Sequence, residues 1–312
     1  MSPFPCLSAA PRPLGERRVA RAESRQTRGR GPARPDRRRP GIVNRAPNYL
    51  WQALRRYPRQ PAYAFWRALE LRHLSELTFD EPILDLGCYD GSFAHLLFEP
   101  GPAVFGLDLS RVHLEAARHS LAYAAVTCGD ATRLPFRSDA FGSLLSNCVL
   151  EHLPDDAAAL GEMARVVRPG GLIAFTVPGP DFHRGLYTYQ CLLARGERRQ
   201  ADAYLQETDR RLAHHHYRTA AEWQQMLSQA HLVVERLEPY LVGPALAVWD
   251  RLDNLLNQAI MGVLDSKKLA LFMLLPRWCQ LWCVYVYLRR FYRLERLPAD
   301  LYGCWMVVAR RP

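Results

Sequence analysis

Residues 83–91 read Ile-Leu-Asp-Leu-Gly-Cys-Tyr-Asp-Gly, a short apolar run that ends in an acid and then turns on glycine. Apolar periodicity resumes over residues 92–98, so the segment predicts a strand, a tight loop and the start of a helix, with Ser92 as its cap. Glycine lets the backbone pass through positive φ and approach a ligand closely. The helix N-terminus behind the loop offers N–H groups that have no intrahelical partner. A lone loop of this kind is also an ordinary strand-to-helix turn, and the residues beyond Phe98 decide between the two.

The pattern repeats downstream. A second strand, 103–107, ends at Asp108, and Ser110 caps a helix running through Ala117 and His119. Asp108 lies twenty-three positions beyond Asp85, where a nucleotide-binding α/β unit places an acid about twenty residues past its glycine loop to take ribose hydroxyls. A third strand, 125–128, ends in Gly129-Asp130-Ala131, and a fourth, 143–146, ends at Asn147. A helix over 155–167 stops at Arg168-Pro169-Gly170-Gly171, and a fifth strand occupies 172–177. Five such units predict an α/β protein with a doubly wound parallel sheet.

Six segments stand in order: Asp85-Leu86-Gly87-Cys88-x-x-Gly91, Asp108, Gly129-Asp130-Ala131, Leu134-Pro135-Phe136, Val149-Leu150-Glu151-His152-Leu153 and Arg168-Pro169-Gly170-Gly171. Together they resemble a class I S-adenosylmethionine-dependent methyltransferase, of the group similar to the ubiquinone/menaquinone and biotin-pathway enzymes. The resemblance covers about residues 80–180 and the final strand. It implies a Rossmann-like sheet with a final antiparallel strand, and S-adenosyl-L-methionine as cofactor. It also implies cofactor contacts from Asp85, Gly87, Cys88, Gly91, Asp108, Leu109, Asp130, Ala131 and Asn147. Of these, Asp85 and the loop would serve the methionine end, with Asp85 acting through the loop or a water. Asp108 would take both ribose hydroxyls, Asp130 the adenine amine, and Asn147 would face the sulfonium. The family usually carries glycine where this chain has Tyr89, whose side chain is expected to point outward. A nicotinamide dehydrogenase needs G-x-G-x-x-G, a spacing that residues 87–91 do not supply.

Methyl transfer needs a base only when the acceptor must lose a proton. His152 is one candidate and the run His214-His215-His216 supplies another, His216. Three consecutive histidines cannot all face one ion from a helix or strand, so no metal is expected. Arg218-Thr219-Ala220-Ala221-Glu222-Trp223 predicts a threonine-capped helix leading to strand six.

The chain divides into a tail (1–45), helices before the sheet (46–80), the cofactor half (81–180), a polar helical insert (181–231), strand six (232–243), an apolar helical insert (244–302) and the last strand (303–312). Net charge is +10, but the first 45 residues carry twelve Arg against Glu16, Glu23 and Asp36, or +9, leaving +1 for the other 267. The tail reads as disordered and dispensable, and no specific nucleic-acid partner is expected. Eight scattered cysteines without zinc spacing read as core thiols in a reducing, cytoplasmic setting.

Both inserts leave the carboxyl edge of the sheet, where ligands bind. In the second, residues 269–288 carry one charge, Arg277, beside Pro276. A single span there would strand the last strand away from its sheet. Residues 244–298 therefore read as a lid, a dimer face or a peripheral membrane patch. The expected partner is a small-molecule or lipid-like methyl acceptor. The alternatives are a cofactor-binding protein of this fold without turnover, or a peripheral membrane interaction protein.

Overall fold

The computed structural model describes residues 48–98, 102–260, 274–295 and 302–312. The tail and most of the link between the last two helices lie outside them.

Two helices come first, α1 (Tyr49–Arg56) and α2 (Pro61–Leu74). Asn48 caps α1 by accepting from the Trp51 N–H. Pro61 opens α2, where its missing N–H costs no hydrogen bond. The alternation then begins: β1 (Ile83–Leu86), α3 (Ser92–Leu97), β2 (Val104–Asp108), α4 (Arg111–Arg118), β3 (Ala125–Cys128), β4 (Phe141–Asn147), a 3-10 turn (Leu150–His152), α5 (Asp156–Val166) and β5 (Val167–Pro178). The first insert supplies α6 (Phe182–Gly185), α7 (Tyr187–Ala194) and α8 (Arg198–Leu212). After α9 (Ala220–Gln229) and β6 (Val233–Val242) come α10 (Gly243–Ile260), α11 (Arg277–Leu294) and β7 (Tyr302–Arg310). Most side chains of α2 are buried, because α1, α3, α10 and α11 surround it, together with β6.

The seven strands form one sheet in the order β3-β2-β1-β4-β5-β7-β6. β1 pairs in parallel with both β2 and β4, so the strand order reverses there and opens the crevice where such sheets bind ligands. β7 is antiparallel to both β5 and β6, which makes β6 parallel to β5. On one face Leu84, Leu144, Ile173, Phe175 and Val307 pack with Leu160, Met163, Trp223 and Leu227 of α5 and α9. Each such side chain contributes about 1.5–3 kcal/mol by leaving water.

Three local expectations change. The cap of α3 is Gly91, at φ +76, with Ser92 already helical; a Cβ at Gly91 would meet Ser120 and Tyr123 at 2.8 Å. Strand five begins at Val167, because Arg168–Gly171 bulges out between the Phe141–Val167 and Ser143–Leu172 pairs and does not end the helix by itself. Cys128 and Cys283 are exposed, whereas Cys88 and Cys304 are core thiols as expected. Thr219 forms a full capping box with Glu222. No described helix is long and apolar enough to cross a membrane.

Candidate functional site

The loop after β1 is pinned from below. The N–H groups of Gly87 and Cys88 both donate to the Leu107 carbonyl at the end of β2, at 2.7 and 2.9 Å. Gly87 sits at φ +79, and a Cβ there would strike Val149 at 2.3 Å. The loop therefore needs glycine for both conformation and space. Tyr89 also has positive φ, +48, a conformation that costs a side-chain-bearing residue about 1–2 kcal/mol. That strain gives a physical reason for glycine at this position. The Tyr89 side chain points outward, 41% exposed, with its ring 4.2 Å from that of His113.

Asp85 lies beneath the loop. It is 4% exposed, and its Oδ2 accepts from the Tyr123 hydroxyl at 2.6 Å. Burial pushes its carboxyl up to about 6, against the opposing pull of that hydrogen bond. The same hydroxyl lies 3.3 Å from the Cys88 carbonyl. Asp85 thus acts on the loop through Tyr123, a residue that the sequence did not single out because it belongs to no motif.

Asp108 ends β2. Its Oδ2 accepts from the Tyr89 N–H at 3.0 Å, and its Oδ1 from the Ser110 N–H at 2.8 Å and the His113 ring at 3.2 Å. An ionised carboxylate has about four lone-pair positions, so one remains beyond these three donors. Asp130 Oδ1 accepts from the N–H and hydroxyl of Thr132, both at 2.8 Å, and the residue is exposed. Ala131 is buried beside it, and Leu109 is half exposed. Asp85, Asp108, Asp130 and Asn147 stand at or just past the carboxyl ends of β1, β2, β3 and β4.

Asn147 is already engaged. Its amide donates to Glu70 Oε2 at 3.1 Å and accepts from the Thr176 hydroxyl at 2.7 Å. Glu70, fully buried on α2, also receives Arg67 at 2.8 Å, the Tyr240 hydroxyl at 2.9 Å and the Cys148 thiol at 3.0 Å. Burial beside Glu70 drives the Cys148 thiol well above the ordinary thiol range, so it stays protonated. This network clamps the pre-sheet helices onto the tip of β4. The sequence signalled none of it, since Arg67 and Glu70 look like ordinary i,i+3 helix charges.

The two expected histidines part ways. His152 lies past β4, and its Nδ1–H donates to the Ala213 carbonyl at 3.0 Å. His216 donates Nε2–H to the Leu153 carbonyl at 2.9 Å and so anchors its own loop. The member of the run that meets His152 is His214, at 5.5 Å between ring centres. Burial and neighbouring cations hold His214 well below the ordinary imidazole range, so it is neutral. Elsewhere among the helices, Trp66 of α2, Phe182 of α6 and Trp249 of α10 form a buried aromatic cluster with centroid separations of 5.0–5.7 Å, and the Phe182 ring also lies 5.7 Å from that of His214.

Residues 84–175 match the methyltransferase domain family. A malonyl-[acyl-carrier protein] O-methyltransferase from Serratia marcescens is 38% identical over 96 residues, 31% of this chain and 38% of the relative. A demethylmenaquinone methyltransferase from Corynebacterium kroppenstedtii is 33% identical over 111 residues, 35% of this chain and 48% of the relative. The chain thus spans less than half the length of either. Among solved structures, the [4+2]-cyclase SpnF shares the fold at a TM-score of 0.50 and 16% identity, over 80% of this chain and 82% of that one. The matched segment holds the pinned loop and the acids at or just past the ends of β1, β2 and β3, on a sheet whose seventh strand runs antiparallel: residues 84–175 are similar to the methyltransferase domain family.

Proposed function

We propose that this chain is an enzyme that transfers the methyl group of S-adenosylmethionine to a small amphiphilic acceptor at a lipid surface. The observation that carries the first half is Asp108. Three donors hold its carboxylate rigidly at the tip of β2, beside a glycine loop shaped for close approach of a ligand. Such a carboxylate keeps one acceptor position for a hydroxyl of a vicinal diol, while Asp130, exposed just past β3, suits an exocyclic amine. Bound there, the cofactor supplies a methyl group already activated by its sulfonium. The chain's own contribution is chiefly positioning, with the α2 clamp fixing Asn147 at the tip of β4. His152, with Nδ1–H committed to Ala213, presents Nε2 as its basic atom.

The acceptor half of the reading rests on α11. Trp278, Trp282, Val286 and Tyr287 are 41–70% exposed. Arg277, Arg289, Arg290 and Arg293 are exposed on the same helix, and the acid just past its end, Glu295, is buried. Aromatic residues beside exposed arginines suit an anionic interface. The relatives' names cite different acceptors, and the shared segment is the cofactor half, so the fold leaves the acceptor open.

The test is calorimetry with S-adenosylmethionine and with S-adenosylhomocysteine, each expected to bind one equivalent. Absence of heat from both removes the reading.

A further inference from the structure

Past the end of β4, Glu151 is buried, 1% exposed, and neither of its carboxylate oxygens has a hydrogen-bond partner. An isolated carboxylate in such a place is costly. One of its oxygens and one ring nitrogen each from His152 and His214 lie within 4.8 Å of one another. The three residues come from two distant parts of the chain, the turn after β4 and the loop after α8. That loop is held in place by the His215 N–H donating to the Glu151 carbonyl at 2.8 Å.

The surroundings set both imidazoles as ligands. His152 gives its Nδ1–H to Ala213. His214 Nδ1 lies 3.0 Å from the Tyr217 hydroxyl, which itself donates to Asp209 at 2.5 Å. Tyr217 therefore receives from Nδ1–H, and the lone pair of His214 falls on Nε2. A ring N–H tied to a carbonyl, or to a carboxylate through a hydroxyl, is the outer support that metal-binding histidines usually have. Two neutral imidazoles and one carboxylate suit a zinc-type ion, with a fourth position left open.

We propose that Glu151, His152 and His214 form a binding site for a divalent transition-metal ion of the zinc class. Ligand atoms on one such ion stand roughly 3.2–3.6 Å apart, so side-chain shifts of about 1 Å close the trio. The ion's positive charge gives the buried carboxylate the partner that it lacks among the described residues. The open position takes an oxygen of solvent or acceptor, whose proton the ion makes easier to lose. That last role rests on the methyl-transfer reading, whereas occupancy of the site does not.

The full chain, stripped with chelator, is titrated with Zn2+ by calorimetry and with Co2+ by visible absorption. One equivalent of each is expected, with the intense bands of four- or five-coordinate cobalt. Glu151→Gln and His214→Gln each lower zinc affinity by at least about 100-fold, the top of the range that outer-shell changes produce. S-adenosylhomocysteine binding, measured in parallel, reports that each variant is folded. Should Glu151→Gln not fold, His214→Gln carries the same comparison. Wild-type protein that takes up no zinc, or variants that bind it as tightly, overturns the proposal. Zinc uptake without S-adenosylhomocysteine binding removes the methyltransferase reading alone, and the reverse result removes the metal site alone.

Discussion

The Tyr123 hydroxyl donates to Asp85 at 2.6 Å beneath the glycine loop, and the carboxylate it supports is 4% exposed. That pairing couples the loop to protonation. Asp85 has its pKa raised from 3.8 to about 6, mainly by burial. The native state therefore holds this proton over a pH range in which the unfolded chain has lost it. Stability contributed by the protonated form is complete below about pH 4 and is lost as pH rises through about 6.

Asp85→Asn removes that dependence and keeps an oxygen to accept from Tyr123. In urea titrations, the wild-type protein should lose about 2–3 kcal/mol relative to Asp85→Asn between pH 4 and pH 7. Parallel curves for the two proteins would show that Asp85 does not titrate in this window.

Cofactor affinity should separate the two acids at the strand tips. Asp108→Ala should weaken S-adenosylhomocysteine binding by about 2–3 kcal/mol, because a charge-assisted bond to a diol hydroxyl is lost along with the support of the Tyr89 N–H. Asp130→Ala should cost about 1 kcal/mol, since one neutral donor is involved. Calorimetric losses that are equal, or undetectable in both, contradict the assignment.

Glu70 is the hub of the clamp. Glu70→Ala leaves Arg67, 6% exposed, as a buried cation without its carboxylate. The expected loss is about 3–5 kcal/mol of unfolding free energy by denaturant titration, the usual cost of breaking a buried pair from one side. A loss below about 1 kcal/mol would mean that solvent reaches the network.

The outer face of α11 can be tested with lipid. Trp278 and Val286 face outward, whereas Tyr285 packs inward: its hydroxyl accepts from Asn48 at 2.8 Å and its ring lies 5.5 Å from Trp51. The sound variant is Trp278→Ser with Val286→Ser, which leaves those contacts alone. Wild-type protein should float with anionic liposomes at low salt, and the double variant should recover mainly in the bottom fraction. Wild-type protein that stays down sinks the lipid-surface reading.

The strand succession up to β5, the glycine loop and the acids at the strand tips were legible in the sequence. Each rests on local chemistry: a short apolar run, a glycine that must take positive φ, a carboxylate at a fixed distance along the chain. Thr219 and Ser110 were readable as caps for the same reason, since a cap and its N–H lie within three residues. The contacts that join distant segments were not legible. Arg67 and Glu70 read as a surface helix pair until α2 is placed on β4. Tyr123 belongs to no motif until the fold brings it under the loop. The histidine run excluded a shared metal when considered alone, yet the turn after β4 brings Glu151 and His152 to His214, sixty-two positions from His152. Pairings of that kind are set by packing and by which buried groups find partners, and only the tertiary structure decides them.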